Sequence, residues 1–137
     1  MANPVFVDTS GLYSVLVKDD DMHERAGAFL DRASRSKRRF LTTDYVLDET
    51  ATLLKARRHG HLVSALMGTI LSSAACRVEW MDQDRFEKTL RFFVKHQDKA
   101  WSFTDCVSFL LMKERKMTEA LTKDEHFRQA GFRPLLV

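Results

Sequence analysis

Four acids stand where a carboxylate is hard to explain as ordinary surface: Asp8, Glu49, Asp105 and Asp124. Asp8 ends a short apolar run, Pro4-Val5-Phe6-Val7, and Asp124 follows a second run, Glu119-Ala120-Leu121-Thr122. Each can be read as the cap of a following helix, but Ser10 and Thr122 are also placed to cap. Glu49 borders the apolar stripe Val46, Leu47, Leu53 and Leu54 when residues 44–58 are projected at 100° per residue, whereas Asp48 points to the opposite, wet side. A carboxylate beside a core is costly unless paired with Lys or Arg or bound to a metal. Asp105 opens a segment, Phe103 to Met112, with almost no polar face, and Thr104 and Ser108 share its narrow polar arc as donors that would orient a ligand. Brought together, these acids would repel one another, and a divalent cation removes that repulsion. Oxygen donors with no suitable Cys or His partner point to Mg²⁺ or Mn²⁺ rather than zinc. His59-Gly60-His61 offers a softer site, set among basic residues at a helix break.

The elements that must position these acids follow from apolar periodicity. Strands are expected at residues 3–8, 39–42, 77–81 and 119–122, with an edge strand at 132–136. Helices are expected near 10–18, 21–35, 44–58, 61–74, 83–97, 102–116 and 124–130, with Thr43 or Asp44 capping the third and Gly131 ending the last. Strands alternating with helices or helix pairs imply an α/β sandwich on a mostly parallel sheet. Ligands of such sheets sit beyond the carboxyl ends of the strands, where Asp8 and Asp124 emerge.

Length and composition bound the rest. The 137 residues, 45% hydrophobic and 30% charged, fit a single domain spanning 1–137 and exclude a disordered chain or a disulfide miniprotein. Cys76 and Cys106 are distant in sequence and flanked by apolar residues, which reads as two buried free thiols. No leader pattern or run of transmembrane length is evident, so a cytoplasmic protein is expected. The net charge of +3 is mild, but Arg32, Arg35, Lys37, Arg38 and Arg39 form one basic cluster, and Lys55, Arg57, Arg58, His59 and His61 another. Arg38, Arg39, Lys55, Arg57 and Arg58 are the candidates to grip a phosphate backbone, and Trp101 is a candidate to stack on a base or in the core.

In order and spacing, four segments resemble the PIN-domain nucleases, and most closely their VapC-type toxin branch. They are Val7-Asp8-Thr9-Ser10, Leu47-Asp48-Glu49, Ser102-Phe103-Thr104-Asp105-Cys106 and Leu121-Thr122-Lys123-Asp124-Glu125-His126-Phe127. The resemblance implies a three-layer α/β/α fold and a Mg²⁺- or Mn²⁺-dependent endoribonuclease. It also implies that Asp8, Glu49, Asp105 and Asp124 hold the metal, with Ser10 and Thr104 as polar supports. Homodimerisation and inhibition by a cognate antitoxin are implied too. Lys123 stands where many relatives carry further acids, and Glu125 is a candidate to share the role of Asp124. A non-catalytic module that binds RNA or protein, and a nuclease acting on DNA, remain open alternatives. A phosphatase with an aspartyl nucleophile is disfavoured, because position 10 is Ser where a second acid is usual. The apolar residues Met22, Phe29, Leu30, Leu62, Leu66, Met67 and Ile70 are more than one modest sheet would cover, and this motivates the expected dimer.

Overall fold

The computed structural model describes residues 3–137. Residues 1 and 2, which the single-domain reading includes, lie outside the described residues. Five strands form one sheet in the order β3-β2-β1-β4-β5, every pair parallel. They are β1 (Val5–Val7), β2 (Phe40–Thr43), β3 (Cys76–Glu79), β4 (Glu119–Leu121) and β5 (Arg133–Pro134). Successive strand residues face opposite sides of a sheet. All three residues of β1 are buried, so both faces of the sheet centre are covered. The helices α1 (Thr9–Leu16), α2 (His23–Arg35), α3 (Asp44–Ala56), α4 (Val63–Ser72), α5 (Gln83–Lys95), α6 (Phe103–Glu114) and α7 (Glu125–Gln129) supply that cover. This is the layered α/β arrangement expected, with a sheet that is entirely parallel.

Local chemistry accounts for the main boundaries. Thr43 starts α3 by accepting the Val46 N–H, so Thr43 rather than Asp44 is the cap, and Asp44 instead accepts the Met81 N–H. Gly131 takes a left-handed φ of 97° just past α7, a conformation that favours glycine. The edge strand is reduced to two residues, and its Pro134 lies on the outermost strand, where a missing N–H is tolerated.

The apolar surplus lies elsewhere than expected. Met22, Phe29, Leu30, Leu62 and Met67 are partly buried against the core, and Leu66 and Ile70 are buried. The exposed large apolar side chains include Phe86, Leu90 and Val94, one stripe of α5, together with Trp80. Trp101 belongs to the core: it is buried, stacks on Phe92 with centroids 6.1 Å apart, and donates its indole N–H to Gln129. Cys106 is buried, but Cys76 is only half-buried, because β3 is an edge strand. Among the described residues no helix is long and apolar enough to cross a membrane.

Candidate active site

Because the strands are parallel, the residues that follow them collect along one edge of the sheet. Asp8 follows β1 and occupies the N-cap position of α1, yet its side chain does not cap that helix. Its Oδ2 instead accepts the Thr122 hydroxyl at 2.8 Å. Thr122 has one proton, which that bond uses, so Ser10 must donate to Thr122 Oγ1 across the 2.9 Å between their hydroxyls. Ser10 in turn accepts the Lys123 N–H at 2.9 Å, and Thr122 accepts the Asp124 N–H at 3.0 Å. A directional chain of donors thus ends on Asp8 and ties α1 to the segment after β4.

Gly11 makes this approach possible, since a Cβ there would lie 2.0 Å from the Leu121 carbonyl oxygen. Asp8 is 4% exposed. Burial, reinforced by the charges of Asp105 and Glu49, pushes its carboxyl up to about 7 despite the Thr122 bond.

Asp105 arrives from α6. Its carboxylate accepts the Ser102 N–H at 3.0 Å while the Ser102 hydroxyl accepts the Asp105 N–H at 2.9 Å, a reciprocal capping box. Burial, then the charge of Asp124, raises its pKa against the opposing pull of the Ser102 N–H and His126. Asp124 caps α7 by accepting the His126 N–H at 2.8 Å. That bond projects His126 into the site, where its Nδ1 lies 3.1 Å from Asp105 Oδ2 and 3.4 Å from Asp124 Oδ1. Donor atoms of Asp105, Asp124 and His126 fall within 4.8 Å of one another.

The expected residues are therefore brought together unequally. Asp105 and Asp124 converge closely, Asp8 is an electrostatic neighbour of Asp105, and Glu49 acts on Asp8 through its charge. Glu49 is exposed, as is Asp48, so the argument that Glu49 suffers a core-border burial cost does not hold. Its distinction from Asp48 is proximity: burial of Asp8 is aggravated by the Glu49 charge. Ser10 acts on Asp8 through Thr122 rather than directly. Ser108 spends its hydroxyl on the Thr104 carbonyl, so the donor that orients Asp105 is Ser102. Glu125 is exposed and pairs with Arg128 at 3.1 Å, away from the cluster. Three residues are added to the expected set: Ser102, Thr122 and His126. Signals for them exist in the sequence as the Ser-x-x-Asp capping box and as the positions two before and two after Asp124.

The basic residues also divide. Arg38 and Arg39 precede β2 and sit at the amino edge of the sheet, opposite the acids. There Arg38 bonds Glu119 at 2.9 Å and the Asn3 carbonyl at 2.7 Å, and Arg39 bonds the Ala74 carbonyl. Lys55, Arg57 and Arg58 are exposed at the end of α3, the helix that carries Glu49. Arg57 also lies over the Tyr13 ring at 5.0 Å. Lys123, beside Asp124, is held by Asp20 at 2.7 Å and Asp21 at 2.8 Å. Burial opposes its charge, but these two bonds prevail and raise its pKa.

Among the described residues no Lys or Arg pairs with Asp8, Glu49, Asp105 or Asp124. Carboxylates gathered at a sheet edge, two of them, Asp8 and Asp105, with pKa values raised chiefly by burial, and no described Lys or Arg to answer them, suit a divalent cation. The PIN domain model matches residues 5–133. This chain belongs to the PIN-domain family. Within that family it is 36% identical to the 23S rRNA-specific endonuclease VapC20 of Mycobacterium tuberculosis over 92 residues, 67% of this chain and 70% of that protein. The crystal structure of the Mycobacterium tuberculosis VapC20 toxin, described as cleaving the sarcin-ricin loop, superposes with a TM-score of 0.79 at 33% identity, covering 93% of this chain and 95% of that one. A Pyrobaculum aerophilum protein shares the fold at 18% identity and a TM-score of 0.66, covering 98% of this chain and 85% of its own. This PIN domain is thus a homologue of VapC-type ribonuclease toxins, which places it among metal-dependent nucleases.

Proposed function

We propose that this chain is a Mg²⁺- or Mn²⁺-dependent endoribonuclease and the toxin of a toxin–antitoxin pair. The observation that carries the reading is the unanswered carboxylate cluster at the carboxyl edge of a PIN sheet. In this reading Asp8, Glu49, Asp105 and Asp124 hold the ion and the chain works as one domain. When bound, the ion would supply Lewis acidity at the phosphate and lower the pKa of a water. The protein's own contribution is positioning. Thr122, supported by Ser10, aims one oxygen of Asp8, Ser102 fixes Asp105, and the start of α7 fixes Asp124.

Substrate binding falls to the cations at the end of α3, the helix that carries Glu49. Lys55 and Arg57 lie six and eight residues past Glu49, about 9 and 12 Å along the helix axis. Both lie on the same side of Glu49, so that spacing suits contact with phosphates on one side of a scissile bond. Arg38 and Arg39, engaged at the far edge, are not assigned to RNA. VapC20 is named as a 23S rRNA-specific endonuclease that cleaves the sarcin-ricin loop, and we extend that substrate class, a folded ribosomal RNA loop, to this chain. The same reading includes a cytoplasmic protein, an antitoxin partner and a homodimer that covers the Phe86, Leu90 and Val94 stripe.

The direct test incubates the purified chain with 23S rRNA, a sarcin-ricin-loop oligomer and its DNA counterpart, with Mg²⁺ or Mn²⁺ and with chelator. Cleavage of RNA at a discrete site, abolished by chelator, is the expected result. Equal cleavage of DNA, or cleavage that ignores chelator, would overturn it.

A further inference from the structure

We infer that His126 is an inner-sphere ligand of the metal, which makes this a mixed nitrogen and oxygen site with a preference for Mn²⁺ over Mg²⁺. The inference rests on the metal-dependent reading above and deepens it. The four-acid pattern of the sequence contains no nitrogen donor, and only the fold introduces one.

Three features carry it. The first is distance. Ligand bonds of about 2.1 Å set neighbouring donors of an octahedral ion about 3 Å apart. His126 Nδ1 lies 3.1 Å from Asp105 Oδ2 and 3.4 Å from Asp124 Oδ1, so the two edges that meet at the nitrogen already match those of such a polyhedron, and the three donors lie within 4.8 Å of one another. The second is anchoring. The His126 backbone N–H is held by Asp124 and its ring by Asp105, so the imidazole does not have to be recruited from solution-exposed freedom. The third is access, because the His126 side chain is 29% exposed and the Asp124 side chain 32% exposed, leaving the trio open on one side to substrate and water.

The alternative role for His126 is purely supportive, with Nδ1–H donating to Asp105 and never touching the ion. Donor chemistry separates the two. Imidazole favours later, softer divalent ions than Mg²⁺, which prefers oxygen and water. A ligating His126 therefore discriminates between Mn²⁺ and Mg²⁺, and a supporting one does not.

The experiment is pulsed electron paramagnetic resonance of Mn²⁺ bound to the full chain, with Mn²⁺ and Mg²⁺ affinities measured by calorimetry. The variant is His126→Asn, whose amide places an N–H near the position of Nδ1 and so retains the bond to Asp105. The expected result is a directly coupled nitrogen in the parent that disappears in the variant. Mn²⁺ affinity should also fall by at least about tenfold, the least that loss of even an outer-shell partner costs, with a smaller loss for Mg²⁺. Circular dichroism of the variant checks that it is folded. Bound Mn²⁺ without nitrogen coupling in the parent, or coupling that survives in the variant, overturns the inference and leaves the nuclease reading standing. Failure of the parent to bind either ion overturns both.

Discussion

The two edges of the sheet treat charge in opposite ways. At the amino edge Arg38 and Arg133 both reach Glu119, at 2.9 and 3.5 Å, and Arg39 satisfies a backbone carbonyl. At the carboxyl edge Asp8 and Asp105 are buried, lean on N–H and O–H donors, and pair with no described Lys or Arg, while His126 lies against Asp105. Matched charges at one edge hold strand ends in register. Mismatched charges at the other cost stability, and that cost is the mark of a site organised for something not contributed by the chain itself.

Removing an acid from the carboxyl edge should have the largest effect. Asp105→Asn is expected to lower RNA cleavage by about two to three orders of magnitude, the scale of losing one electrostatic support of a transition state. Gel-shift affinity for the same RNA should change little, because phosphate contacts dominate binding. Glu49→Gln should behave like Asp105→Asn, and Asp48→Asn should cleave like the parent. A damaging Asp48→Asn would show that proximity to Asp8 is not what distinguishes the two neighbours.

The mismatch itself can be measured without metal. The folded pKa of Asp8 is raised to about 7 by burial, so a proton on it favours the folded chain. That contribution is fully present below the unfolded value of 3.8 and is lost as pH rises through about 7. Asp8→Asn should therefore stabilise the metal-free protein above pH 7, by about 2 to 4 kcal/mol at 1.36 kcal/mol per pKa unit. The gain should shrink towards pH 5, and chemical denaturation at pH 5 and 8 in chelator measures both. A gain independent of pH would remove ionisation as its cause.

Two smaller effects sharpen the contrast. Gly11→Ala forces a methyl against the Leu121 carbonyl and should cost about 1 to 3 kcal/mol, with cleavage falling as Asp8 is displaced from Thr122. Arg38→Gln should cost about 1 kcal/mol, as for a partly exposed ion pair, and leave cleavage per folded molecule unchanged. A cleavage defect in Arg38→Gln would mean that the two edges are not functionally separate.

How far the sequence revealed this site depended on how local each signal was. Asp8 and Asp124 were legible because a strand end fixes an edge in a parallel sheet, and Asp105 because an acid heads an otherwise apolar helix. The same strand-end logic, applied to Arg38 and Arg39, already puts them at the wrong edge. Glu49 is singled out by a helical projection whose premise of a burial cost fails, since Glu49 itself is exposed. His126 was missed because its relation to Asp105 spans 21 residues and depends on how α7 meets α6. Periodicity within either helix cannot supply that relation.

The bond between Asp8 and Thr122 joins residues 114 positions apart. Contacts of such separation form only when the intervening chain is available to fold, and they are slow to close. A ribosome synthesising this protein exposes Asp8, Glu49 and the first three strands well before β4 can dock beside β1. The carboxylate cluster therefore has no nascent form. In the proposed reading, a toxin that attacks ribosomal RNA would have no assembled site until the residues up to Asp124 have been made and β4 has docked beside β1.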